Sequence, residues 1–212
     1  MTSTNRLWLL PLLFATTAQA ALDLTPISAD YVAQGITFQR VIFKQADQTS
    51  VSYEPPRGWS CRGGGNRLQL TPAGVTQAEA SIQALPITAP QPLDEKNQSL
   101  LKEQFLNSLP PGSQKINLLN EEQNPVVLDN KLSYAVTASY QTLGETFVRS
   151  ALFINRADTQ LRFTITSRQS DFEKLQQSFR GSILSWHWVE QSPVPAKNEP
   201  VIAAGAGPVA AR

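Results

Sequence analysis

From Leu132 onward the chain alternates. Leu132, Tyr134, Val136, Ala138 and Tyr140 are separated by Ser133, Ala135, Thr137, Ser139 and Gln141. Period two, with aromatic and β-branched residues, marks a strand with one buried face. Leu143-Gly144-Glu145 follows, and its glycine can take the positive φ of a tight reversal. Thr146 to Ile154 is apolar on both faces toward its end, as a central strand covered on two sides would be. Asn155-Arg156-Ala157-Asp158 is a polar turn. Leu161, Phe163 and Ile165 then alternate with Arg162, Thr164 and Thr166. Links this short force antiparallel pairing, because a parallel crossover needs about a dozen residues or more. The period then changes. Phe172, Leu175, Phe179 and Ile183 recur at helical spacing, and Ser170-Asp171-Phe172-Glu173 has the form of a capping box. One apolar helix stripe directly after a meander has that sheet as its nearest partner.

The same reading runs over the rest of the chain. Ala21 to Ala33 has no clear period. Ile36 to Phe43 alternates loosely, as a first strand or an amphipathic segment. Ser50 to Tyr53 is a strand stopped by Glu54-Pro55-Pro56-Arg57-Gly58, since the double proline cannot donate to a ladder. Ser60 to Arg62 and Arg67 to Thr71 flank Gly63-Gly64-Gly65-Asn66. A phosphate loop would need a helix after the glycines and a nearby lysine. A strand follows instead, so a hairpin turn is expected. Glu79 to Leu85 is a fourth short strand, and Pro86 to Pro92 is a connector. Leu93 to Leu109 is a helix with Asp94 and Glu95 at its positive end, stopped by Pro110-Pro111-Gly112. Ile116 to Leu119 and Val126 to Leu128 read as an irregular strand pair around Asn120 to Asn124.

The two ends differ from this pattern. Arg6, the apolar run Leu7 to Phe14 and Ala18-Gln19-Ala20 give residues 1–20 the form of a secretory signal peptide. The run is far short of the roughly 20 residues a membrane span needs. The expected product is exported and periplasmic, with no membrane span. Residues 21–190 then form one domain, and the Pro/Ala/Gly-rich residues 191–212 read as a disordered tail.

Charge and chemistry narrow the function. The chain has 18 Lys and Arg against 17 Asp and Glu, and loss of Arg6 with the leader brings the balance to zero. A nucleic-acid binder would carry a basic excess or stripe, so no nucleic-acid partner is expected. Arg149, Arg156, Arg162 and Arg168 are spread over different strands and turns and read as solvated positions. Cys61 is the single cysteine, which rules out an internal disulfide. A buried small hydrophobe, a free thiol and an intermolecular link are its possible uses. His187 is the single histidine, between Trp186 and Trp188. Catalytic and metal sites need clustered His, Cys, Asp or Glu, so no catalytic residue, metal or cofactor is expected. Glu121-Glu122 reads as a solvated acidic pair in a loop. Tyr53, Trp59, Trp186, His187 and Trp188 are the candidate binding surface. Core packing and closure of the helix end against the sheet are the other uses of the same rings.

A larger pattern connects these elements. A strand runs into Pro-x-Gly-Trp at Tyr53-Glu54-Pro55-Pro56-Arg57-Gly58-Trp59. Short strands and the Leu93 to Leu109 helix follow. Long hairpins from Leu132 to Thr166 lead to a closing helix with Phe172, Leu175 and Phe179. Over roughly residues 35–188 this resembles the PsbP-like superfamily, known from extrinsic photosystem subunits and a yeast Ran-binding protein. The resemblance implies an α+β fold in which helices sandwich an antiparallel sheet, in α/β/α layers. It implies no catalytic residues, and nothing in the sequence extends a photosystem role to this chain. The expected function is an exported, non-enzymatic accessory or binding module that docks a protein partner. The alternative is a small-ligand or lipid carrier with a pocket between sheet and helices.

Overall fold

A computed structural model describes residues 22–44, 49–87, 91–156 and 158–190. The expected leader at residues 1–20 and the expected tail at 191–212 lie outside the described residues. In chain order the strands are β1 (Ile27–Ser28), β2 (Tyr31–Ala33), β3 (Ile36–Phe38), β4 (Val41–Lys44), β5 (Thr49–Tyr53), β6 (Trp59–Gly64), β7 (Arg67–Pro72) and β8 (Glu79–Pro86). Helix α1 (Glu95–Asn107) precedes β9 (Gln114–Gln123), β10 (Ser133–Thr142), β11 (Glu145–Arg156) and β12 (Thr159–Arg168). Helix α2 (Gln169–Ile183) and β13 (His187–Glu190) complete the chain.

The meander expected after Leu132 is β10, β11 and β12, antiparallel throughout, with Val136 opposite Ala151 and Leu152 opposite Phe163. Its first reversal uses Leu143 and Gly144, both at positive φ, 50° and 82°. Such a turn twists in the sense the flanking strands need. These strands sit inside a seven-stranded sheet of order β6-β7-β8-β12-β11-β10-β9. A second, four-stranded sheet has the order β1-β4-β5-β13, and β2 and β3 form a separate hairpin.

Alternation sorts the side chains of the large sheet onto two faces. Leu68, Leu70, Ile82, Leu152, Ile154, Leu161, Phe163 and Ile165 face one side. There they meet Phe172, Leu175, Phe179 and Ile183 of α2 and Phe43, Val51 and Tyr53 of the small sheet. Tyr134, Val136, Ala138, Ala151 and Phe153 face the other side, against Leu101 and Phe105 of α1.

The expected α/β/α sandwich is therefore corrected. The described residues are mostly antiparallel sheet with two helices, of 13 and 15 residues. Seven strands at about 4.8 Å spacing are roughly 30 Å across, and one helix is about 10 Å wide. One face is accordingly shared between α2 and the small sheet. The other is covered by α1 only over β10 and β11. Beyond α1, that face carries polar side chains, among them the part-buried Arg149, Arg162 and Gln83 and the exposed Arg67, and no helix covers it among the described residues.

Other local expectations also change. The capping box at Ser170 does not form. Strand β12 runs straight into α2, Arg168 stands at the N-cap with no side-chain hydrogen bond capping the helix, and Ser170 is already inside the first turn. The cap that does form is on α1, where the Asp94 carboxylate accepts from the Asn97 amide at 2.9 Å. Of the two short apolar runs expected around Asn120, Ile116 to Leu119 lies in a ten-residue edge strand, β9, with register shifts against β10 and Lys115 at φ 48°, whereas Val126 to Leu128 follows it outside any strand, Leu128 bridging only to Lys131. A bulged strand loses period two, which hid β9. The glycine run is a hairpin turn with Gly65 at φ 56°. Gly63 has a further role: a Cβ there would collide with the Leu24 carbonyl oxygen and the Leu68 side chain. The segment through Leu22 and Leu24 crosses the hairpin at that point, with the Leu24 amide donating to the Gly65 carbonyl at 2.6 Å.

Candidate binding face beside helix α1

The five residues of the expected binding surface do not share one surface. Tyr53 and Trp186 are 0% exposed and Trp59 is 7% exposed. Trp186 is the hub of an aromatic cluster, with ring centroids 5.7 Å from both Phe43 and Tyr53, 5.5 Å from Phe163 and 5.8 Å from Trp188. Trp59 stacks on Phe179 of α2 at 6.2 Å. The Tyr53 hydroxyl meets the Ser182 hydroxyl at 2.8 Å, tying β5 to α2. Burial pushes that phenol well above its ordinary value. On β13, Trp188 is half-buried with the Arg156 guanidinium 4.1 Å over its ring. His187 points the other way and is exposed. Cys61 is a half-buried free thiol packed against the main core. Burial pushes its pKa up to about 11, so it stays protonated and a weak nucleophile at neutral pH.

Glu121 and Glu122 are not a loop pair. They are successive residues of β9 and point to opposite faces. Glu121 accepts from the Tyr134 hydroxyl at 2.6 Å and from Lys102 of α1 at 3.1 Å. The Tyr134 bond, with the Lys102 bond adding to it, holds its carboxyl below the usual range despite some desolvation. Glu122 takes a two-pronged contact from Arg180 of α2, at 2.9 and 3.1 Å. The edge strand is thus strapped to both helices.

The open part of the sheet lies beyond α1. Arg149 of β11, Arg162 of β12 and Arg67 of β7 share its face. The register carries them there: Arg162 pairs with Gln83, Gln83 pairs with Arg67, and Arg149 pairs with Thr166. With Ser81, Gln83 and Thr164 they line a polar cavity of about 210 Å³. Among the described residues none of the three forms an ion pair with a carboxylate. Arg149 donates to the Ser108 carbonyl at the end of α1 at 2.6 Å. Arg162 lies 5.1 Å from the Phe153 ring centre. The Nε–H groups of Arg149 and Arg162 are buried without an acceptor. A buried unpaired donor costs about 1–3 kcal/mol. Burial lowers the pKa of both guanidiniums, and the nearby positive charges add to it, Arg67 acting on Arg149 and Arg149 on Arg162.

Arg149 also borders a second, larger cavity of about 430 Å³, open along one side and walled by Val75, Ala78, Pro110, Tyr140 and Phe147. Tyr140 and Phe147 stack at 5.9 Å. Glu79 stands at this cavity's rim and is the acid nearest in influence to Arg149. The face thus joins an apolar recess to a concentration of guanidiniums. Glu79 is the one carboxylate residue lining either cavity among the described residues. Among the described residues no three His, Cys, Asp or Glu side chains are grouped to hold a metal. No helix among them is long and apolar enough to cross a membrane.

Sequence reading treated Arg149 and Arg162 as scattered solvated charges and passed over Arg67 and Phe147. The signal was available in the register. Once Arg156 and Thr159 bound the turn, Arg149 and Arg162 fall on the same face of adjacent strands. By contrast Arg156 covers Trp188, and Arg168 is paired with Glu145 and Gln77.

No protein-family model matches the chain, and no curated protein does. Among solved structures, cyanobacterial PsbP (CyanoP) from Synechocystis sp. PCC 6803 superimposes with a TM-score of 0.51 at 12% identity, over 75% of this chain and 97% of that one. A protein of unknown function from Pseudomonas aeruginosa, PA94, aligns over 80% of this chain and 99% of its own at 13% identity, with a TM-score of 0.41. At such identities the likeness is one of architecture, and the sequence resemblance drawn from Pro56-Arg57-Gly58-Trp59 and the closing helix meets it there. The chain has a PsbP-like fold.

Proposed function

We propose that the protein is an exported, non-enzymatic accessory module that docks a protein partner through the open face beside α1. The observation that carries this reading is the part of the seven-stranded sheet beyond α1, uncovered among the described residues, with an apolar recess of about 430 Å³ beside three guanidiniums, Arg67 exposed and Arg149 and Arg162 part-buried. Arginine and aromatic residues are the types that anchor protein interfaces. The PsbP-like fold supports it, as the resemblance implies assembly and docking roles. The remaining reactive groups are elsewhere: His187 is on the small sheet, and Cys61 faces the main core. Export rests on residues 1–20, and sequencing of the secreted chain should find Ala21 first; an uncleaved leader would contradict it.

The docking test is a mild cross-linking pull-down from periplasm. A discrete partner captured by the native chain should be lost with Val75→Asp and kept with His187→Ala. Capture unaffected by Val75→Asp, or no discrete partner, overturns the reading. A second reading keeps the same recess for a small apolar ligand, because its volume lies within the roughly 300–1,000 Å³ of ligand pockets. Native mass spectrometry of the purified chain separates the two, since a carrier retains a co-purified ligand.

A further inference from the structure

Resting on that reading, we infer that the docked segment is an acidic peptide whose carboxylate sits on Arg149, Arg162 and Arg67 while a neighbouring apolar side chain fills the Tyr140–Phe147 recess. Three guanidiniums converge on one concave wall with no carboxylate paired to any of them among the described residues. Like charges gathered in a partly desolvated hollow raise the potential there and favour an anion. The planar fork of a guanidinium matches a carboxylate in two-pronged fashion. Ser81 and Thr164 add hydroxyl donors to the same wall. Two of the three arginines have a structural duty, yet neither duty neutralises its charge. Arg149 spends one arm on the Ser108 carbonyl, and Arg162 leans on the Phe153 ring.

The apolar recess decides between kinds of anion. Arg149 borders both cavities, so a ligand seated on it meets guanidiniums on one side and aromatic rings on the other. A free inorganic anion uses only the first. The recess is open along its side, which suits a side chain projecting from a peptide backbone better than a lipid tail needing enclosure. The zero charge balance of the chain without its leader fits local rather than global attraction: the positive charge is concentrated where the partner's acid would land.

The test uses the full mature chain and two blocked tetrapeptides, one with glutamate next to phenylalanine and one with glutamine in its place. Titration by isothermal calorimetry at low ionic strength should show the glutamate peptide binding about tenfold tighter, with the difference removed by Arg162→Gln. Arg67→Gln, on an exposed residue, serves as the second variant, and circular dichroism confirms that each folds. Equal affinity for the two peptides overturns the inference. So does tighter binding of inorganic phosphate or of laurate than of the glutamate peptide. Docking itself is judged separately: a partner lost with Val75→Asp but kept with Arg162→Gln leaves the docking reading standing and removes this one.

Discussion

The Glu121 carboxylate shows how much a single side chain carries here. It is hydrogen-bonded to Tyr134 and Lys102 and so links β9, β10 and α1. Its folded pKa lies below the ordinary 4.5, so the charged form is favoured by folding. The stabilisation is therefore present above the unfolded value and is lost as pH falls through the lowered one. Urea midpoints of the native chain and of Glu121→Gln should differ at neutral pH and converge in acid below that range. A gap that persists unchanged at pH of about 3 would contradict the assignment. Residue identity made this pair visible in the sequence but not its use. Two adjacent acids look alike until the strand sends one to each face, where Arg180 answers Glu122 and Lys102 answers Glu121.

Among the elements, α2 was the most legible and its beginning the least. Phe172, Leu175, Phe179 and Ile183 are all buried, as their spacing requires. The start was misread because a Ser-x-x-Glu pattern says nothing of where the preceding strand stops. Phe179 stacks on Trp59 in the main core. Replacing it by alanine should cost about 3–5 kcal/mol in denaturant unfolding. A loss under about 1 kcal/mol would mean the helix is not the lid of that face. Strand β9 was the opposite case. It is an edge strand with register shifts, exposed Ile116, Leu118 and Leu119, and no alternation to betray it. Bulges of this kind protect an edge from pairing with other chains, at the expense of the periodic signal. The split of Ile36 to Phe43 into β3 and β4 escaped notice for the related reason that each piece is only three or four residues long.

At the scale of the molecule, strand-by-strand reading located the meander, the hairpins and both helices, and family resemblance supplied the fold type. It could not supply the layers. Period two tells that a face is buried, not whether a helix or another sheet buries it. The four-stranded sheet is assembled from β1, β4 and β5, which lie close together in the chain, and from β13 at the far end, which pairs with β5 beside the packed rings of Trp186 and Tyr53. The same limit hid the candidate binding face, because Arg67, Arg149 and Arg162 become neighbours only when β7, β8, β12 and β11 are set in register. The account therefore stands on one claim: the part of the sheet that α1 leaves bare is where this molecule meets another. The most direct check is photocross-linking in the exporting cell, with benzoylphenylalanine in place of Phe147 or, separately, of Trp188. A discrete adduct from the Phe147 position and none from the Trp188 position is the expected result; an adduct from Trp188 alone would contradict the claim.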